Sequence, residues 1–254
     1  YELRYVYDAT GTVIARARVT VTAVTARLDA PAKAAAGAEL PVTFEGPGAA
    51  EDWVGLATPG ADANTYEGGA WTYAENGSPA KLRLPAEPGI YELRYVSGLD
   101  PKILASRKVE VTAAVAALAA PARAMAGSML QVGFRGTGGG DTFIGIVKKG
   151  APPGAWISFR YPEDKEQVSL HVPGEPGAYE VRFVLEANGV YKVLAASPLA
   201  VEPAIATVSA PDRVKAGAQI KVAFTGPKGQ GDYIAIAPPG NPANETTQFQ
   251  SVDA

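Results

Sequence analysis

The chain contains no cysteine. Disulfides, thiolate metal sites and thiol nucleophiles are therefore excluded along its 254 residues, and its stability has to come from packing and hydrogen bonding. Histidine is nearly absent too. His171 stands alone, on a strand-like run just ahead of a turn, and is read as a structural side chain rather than a base or ligand. None of Ser158, Ser169 and Ser197 sits in a G-x-S-x-G setting. The glycines of 136–140 lie between β-like runs and not ahead of a helix, so no phosphate-cradling loop is expected. Excess positive charge is lacking as well. Lys and Arg total 23 against 26 Asp and Glu, a net charge of −3, which leaves no basic patch to release counterions from nucleic acid. No apolar run reaches the roughly 18 residues that a membrane-spanning helix needs. These absences predict a chain that is not an enzyme and carries no cofactor.

What is present is a period. Pro31, Pro121 and Pro211 follow one another at an interval of 90 residues, and so do Gly37, Gly127 and Gly217. Phe44, Phe134 and Phe224 keep that interval, each followed two residues later by Gly46, Gly136 and Gly226. Trp53, Phe143 and Tyr233 hold one aromatic position, and Gly60, Gly150 and Gly240 a turn. Internal repetition on this scale means successive copies of one structural unit. The stretch from Gly60 to Trp71 is two residues longer than its counterpart from Gly150 to Phe159, which marks a surface loop where length varies cheaply.

Each unit is built around one hexapeptide. Tyr91-Glu92-Leu93-Arg94-Tyr95-Val96 occurs identically at Tyr1 to Val6 and in altered form at Tyr179 to Val184. Its alternation predicts a strand with Leu93, Tyr91 and Tyr95 on a buried face and Glu92 and Arg94 on a wet one, where they form cheap surface ion pairs. The turn Pro85-Ala86-Glu87-Pro88-Gly89 precedes it, echoed by Pro173-Gly174-Glu175-Pro176-Gly177. A tyrosine opening a strand after such a turn has the form of a tyrosine corner, which assigns Tyr1, Tyr91 and Tyr179 that structural role.

Seven strands are read per unit: Val24 to Leu28, Glu39 to Phe44, Asp52 to Ala57, Ala70 to Ala74, Lys81 to Leu84, Tyr91 to Val96 and Ile103 to Thr112. Asn188-Gly189 is the hairpin turn of the following unit. Seven short strands in about 90 residues predict an all-β chain of tandem immunoglobulin-like Greek-key β-sandwiches. The boundaries read as 1–22, the last hairpin of a sandwich; 23–113 and 114–203, two whole repeats; and 204–254, the first part of a further repeat. Incomplete units at both ends leave two expectations. The chain is an excerpt of a longer array, or half-units complement one another between chains by strand donation.

Candidate contacts are few. Trp53, Phe143 and Tyr233 are read as core aromatics packed between the sheets. Trp71 and Trp156, beside the variable loop, are the candidate ligand contacts. Glu51-Asp52 and Gly231-Asp232 could suggest calcium, but Asp141-Thr142 replaces them in between, and turn chemistry accounts for the acids.

The order Ala-Pro, Ala-Gly, Phe44-Glu45-Gly46-Pro47 (again Phe224-Thr225-Gly226-Pro227), Asp232-Tyr233-Ile234 and Pro-Gly-x-Tyr-Glu-Leu-Arg-Tyr-Val carries a likeness. It resembles the immunoglobulin-like repeats of exported proteobacterial proteins that also hold a von Willebrand factor type A domain. The likeness covers essentially the whole chain but consists of scaffold motifs. That domain's Asp-x-Ser-x-Ser metal segment does not occur here, so the resemblance implies no ligand residue. Thr137 and Thr142 depart from the pattern at the turn proline and the acid. The resulting expectation is a structural or adhesive rod or fibre, extracellular, on the bacterial cell surface or in the periplasm. Its partners would be proteins, including other copies of itself. The alternative is a carbohydrate- or protein-binding module.

Overall fold

Apolar residues at every second position, bounded by Gly and Pro, leave the backbone no pairing partner except a neighbouring strand. The computed structural model describes residues 1–137, 141–162, 166–242 and 244–252. Part of the glycine stretch 136–140 thus lies outside the described residues. The chain opens with the hairpin β1 (Glu2–Tyr7) and β2 (Thr12–Arg18). Then follow β3 (Arg27–Asp29), β4 (Lys33–Ala35), β5 (Glu39–Glu45), β6 (Trp53–Ala57) and β7 (Trp71–Tyr73). A short 3-10 turn, Ala74–Asn76, leads to β8 (Ala80–Arg83), β9 (Gly89–Ser97) and β10 (Lys102–Thr112). The pattern repeats as β11 (Val115–Ala119), β12 (Arg123–Met125), β13 (Met129–Thr137), β14 (Asp141–Lys148), β15 (Ser158–Arg160), β16 (Gln167–His171), β17 (Gly177–Ala187) and β18 (Val190–Glu202). The last strands are β19 (Thr207–Ser209), β20 (Ala223–Thr225), β21 (Tyr233–Ile236) and β22 (Gln248–Ser251).

The fold is all-β and built of β-sandwiches. In the first, a sheet in the order β3-β5-β8 faces one in the order β4-β10-β9-β6-β7; in the second, β11-β13-β16 faces β12-β18-β17-β14-β15. Alternation fills the space between. Leu40, Val42, Leu82 and Leu84 meet Val54, Leu56, Leu93 and Val109, all at most 1% exposed. The second core repeats this with Leu130, Val132 and Leu170 against Ile144, Ile146 and Val181. Each such side chain contributes about 1.5–3 kcal/mol on burial.

The first strand of the unit is split, which the sequence reading missed. β3 pairs antiparallel with β5, whereas β4 runs parallel to β10, Glu110 opposite Lys33 and Thr112 opposite Ala35. Pro31 lies between them: with no N–H to donate it ends one ladder, and the chain crosses to the other sheet. A three-residue strand is too short to show a period, so β4 and its counterpart β12 leave no pattern to read. At the corner, the Tyr91 hydroxyl donates to the Glu87 carbonyl at 3.0 Å, and Tyr179 donates to Glu175 at 3.0 Å. Burial raises the Tyr91 hydroxyl above its ordinary value, with the charges of Glu67 and Glu87 adding to the shift. Tyr1 opens β1 with its side chain almost wholly exposed.

Candidate binding surface

The outer face of the large sheet is where chemistry gathers. Because Val54 and Leu56 enter the core, Trp53, Gly55 and Ala57 point the other way. Trp53 and Phe143 are therefore not between the sheets, as the sequence suggested. They are 7% and 6% exposed because rings and a loop cover them from outside. Residues 58–70 fold back as an extension of the sheet, with Glu67 N–H donating to Leu56 at 2.8 Å and Leu56 N–H to Ala70 at 2.9 Å. Tyr66 then lies edge-on to Trp53 at 5.6 Å and tilted to Trp71 at 5.0 Å. Gly55 makes this possible. A Cβ there would lie 2.7 Å from that of Trp71 and 3.0 Å from the Trp53 ring.

The supposed wet face of β9 is likewise covered. The Arg94 side chain is 1% exposed, not solvated. Its Nε and Nη2 hold Glu92 at 2.9 and 2.7 Å, and Nη1 donates to the Asp62 carbonyl in the overlying loop at 3.0 Å. Arg182 does the same with Glu180 at 2.9 and 2.7 Å and with the carbonyls of Ala151 and Pro152 at 2.8 and 2.9 Å. The hydrogen bond from Arg94 keeps the Glu92 carboxyl below its ordinary range in spite of partial burial. An arginine of β9 or β17 thus pins the loop that leaves β6 or β14.

A second network is confined to the first sandwich. Asp52, 1% exposed, accepts from Ala49 N–H at 3.1 Å, the Tyr95 hydroxyl at 3.0 Å and Gly98 N–H at 3.0 Å. Gly48 N–H donates to the Tyr95 oxygen at 3.1 Å. Burial raises the Tyr95 hydroxyl above its ordinary value; the Gly48 donor opposes this and Asp52 adds to it. In the second sandwich Thr142 and Phe183 stand at these two places, so acid and hydroxyl are replaced together. That paired change was the readable signal for a contact which sequence reasoning overlooked.

Trp71 and Trp156 belong to different sandwiches and are not brought together. Trp71 is half-buried between Tyr66 and Tyr73, the latter edge-on at 5.0 Å. Trp156 is 55% exposed and lies 4.6 Å from Phe159, which meets Tyr161 at 5.5 Å. His171 receives the Ser158 hydroxyl on its carbonyl at 2.7 Å. Among the described residues, no group of three or more His, Asp or Glu could hold a metal ion, and no helix is long and apolar enough to cross a membrane.

No family model matches the chain, and no curated protein matches it. Among solved structures it is similar to the FN1–FN3 domains of chicken CNTN1, at 12% identity and a TM-score of 0.29, over 79% of this chain and 76% of that one. It is similar to the tandem Ig repeats of Dlar, at 12% and 0.25, over 71% of this chain and 100% of that one. It is also similar to the Yersinia pseudotuberculosis adhesin InvE, at 12% and 0.25, over 70% of this chain and 58% of that one.

Proposed function

We propose that the chain is a non-enzymatic structural or adhesive scaffold, a rod of tandem β-sandwich units on the bacterial cell surface or in the periplasm. Units 23–113 and 114–203 are its beads, with 1–22 and 204–254 contributing to neighbouring ones. The likeness to repeats of exported proteins with a von Willebrand factor type A domain belongs to this reading. The observation that carries it is where the recurring polar groups go. Tyr91, Tyr179, Arg94 and Arg182 all hold backbone carbonyls of their own unit. The joint between beads supports it further. Leu185 and Ala187 are buried in the core cluster of the first sandwich, Asn188 lies against Gly68 and Gly69, and Lys192 pairs with Glu87 at 2.6 Å. Such a joint restricts the hinge. Small-angle scattering extrapolated to infinite dilution should give a radius of gyration well above the roughly 18 Å of a globule of this length. A value near that of the globule sinks the reading.

A second reading, a carbohydrate- or protein-binding module, is favoured by the exposed ring of Trp156 beside Phe159 and Tyr161. Aromatic faces take sugars and apolar side chains alike. If it holds, binding on a glycan array or in a pull-down is lost in Trp156→Ala, while melting of the chain is unchanged. Silence across a broad panel counts against it.

A further inference from the structure

The repeat departs from its own length in two places, and the two meet in space. One is the stretch from Gly60 to Trp71, longer by two residues than its counterpart. Glu67 N–H donates to the Leu56 carbonyl at 2.8 Å, just as Ile157 N–H donates to Ile146 at 2.8 Å. Trp71 then pairs with Gly55, and Phe159 with Gly145. Ser158 alone stands between Ile157 and Phe159, whereas Gly68, Gly69 and Ala70 stand between Glu67 and Trp71. The extra residues are therefore Gly68 and Gly69. The other departure is a hairpin. Val6 pairs with Val13 and Val96 with Ile103, seven residues further on in each case, but Val184 pairs with Val193, nine further on. The hairpin β17–β18 of the second sandwich is thus longer by two residues, with Asn188-Gly189 at its tip.

The lengthened loop and the lengthened hairpin lie against each other. A Cβ on Gly68 would stand 2.8 Å from the Cβ of Asn188, and one on Gly69 would stand 2.8 Å from its Oδ1. Behind the tip, Leu185 and Ala187 are 0% and 1% exposed within the core of the first sandwich, and Leu194 packs against the same core. Two ion pairs of opposite sense join the sandwiches. Lys192 of the second meets Glu87 of the first at 2.6 Å, and Arg83 of the first meets Asp141 of the second at 3.5 Å. An apolar centre accompanied by crossed charges fixes both which surface fits and in which orientation.

We propose that residues 58–70 are a recognition seat for the hairpin of the sandwich that follows, and that matched insertions decide which sandwich can follow which. The occupant is a hairpin lengthened by two residues and turning on Asn-Gly. The glycine pair lets backbone approach backbone where a side chain would push the tip away. The second sandwich has no such pair, so its loop offers no such seat. Because Leu185 and Ala187 complete a core that is not their own, the stability of the first sandwich depends on the hairpin of the second. This rests on the scaffold reading and adds that neighbouring beads recognise each other.

The three tryptophans of the chain are Trp53, Trp71 and Trp156. In a full chain carrying Trp156→Phe, the fluorescence of the other two reports on the first sandwich alone. Deleting Ala187 and Val190 shortens the hairpin by two residues and keeps its Asn-Gly turn. It should lower the thermal midpoint of the first sandwich by about 5 °C, although every change lies in the second. Deleting Gly68 and Gly69 gives the loop the length it has in the second sandwich, and should lower the midpoint likewise. Both deletions together should cost no more than either alone. Gly69→Val, at a position without a positive φ, should reproduce the loss, and adding Asn188→Gly should restore much of it. A midpoint that the shortened hairpin leaves in place overturns the proposal. So do losses that simply add, or a Gly69→Val variant as stable as the starting chain. The scattering experiment stays separate: an extended chain whose beads melt independently keeps the scaffold reading and loses this one, whereas a radius of gyration near that of a globule strikes the scaffold reading itself.

Discussion

Arg94→Met lowers the stability of the first sandwich by about 3 kcal/mol, although the side chain belongs to an ion pair only two residues apart in sequence. An exposed pair of the same length is worth less than about 1 kcal/mol. Lys33 and Glu110 make such a pair at 2.7 Å, with side chains 67% and 40% exposed, and Lys33→Met is the control that barely moves the transition. Arg94 differs because it is sealed under residues 58–70. Removing it takes the guanidinium from the Glu92 carboxylate, which keeps only the Ser106 hydroxyl, leaves the Asp62 carbonyl without that donor and frees the loop over Trp53. Arg94→Lys rescues little, since an ammonium cannot span Glu92 and the loop as a fork does. Urea unfolding followed by tryptophan fluorescence checks this, and a change under about 1 kcal/mol would mean that the loop holds itself. The pair also sets an acid dependence. The Glu92 carboxyl is lowered in the folded state, so its contribution is present above the ordinary carboxylate value and lost as pH falls through the lowered one. Arg94→Met should lack that step.

Asp52→Ala costs about 3 kcal/mol, because Ala49 N–H, Gly98 N–H and the buried Tyr95 hydroxyl lose one common acceptor. Tyr95→Phe alone costs roughly 1–2 kcal/mol, since Gly48 N–H loses its acceptor and Asp52 Oδ2 keeps only the Ala49 N–H of its two donors. The informative variant carries Asp52→Thr and Tyr95→Phe together, the pair that Thr142 and Phe183 already form in the second sandwich. It should be more stable than the sum of the two single losses by about 1 kcal/mol, measured by a double-mutant cycle. Strict additivity would show that the two residues do not act as a unit. The Tyr95 hydroxyl is raised in the folded state, so its share of stability is present below the ordinary tyrosine value near 10 and lost as pH rises through the raised one. Tyr95→Phe removes this alkaline step.

The all-β sandwich architecture was legible because repetition and alternation are properties of the chain itself. Leu93 facing inward follows from its neighbours alone. Whether Arg94 faces water does not, since alternation separates two faces without saying what lies on the second. Its cover comes from Asp62, 32 residues away, and a charged side chain is ordinarily solvated. Trp53 was misplaced for the same reason: an aromatic on a central strand suits either face, and Tyr66 and Gly55 decide which. The split first strand escaped because three residues carry no period. The Asp52 and Tyr95 contact was recoverable only by comparing units side by side, where both residues change at once.

The parallel run of β4 beside β10 matters most when the molecule is pulled. Tension along the polypeptide meets β3 on β5 first; past it the pull reaches β4 and leaves just beyond β10, so these two are dragged past each other lengthwise. The hydrogen bonds of that ladder, among them Glu110 N–H to the Ala32 carbonyl and Ala36 N–H to the Thr112 carbonyl, both at 2.8 Å, then carry the load in shear and must rupture together instead of unzipping singly. In the second sandwich β12 runs parallel to β18 in the same way, so each sandwich resists pulling at this place with several bonds at once.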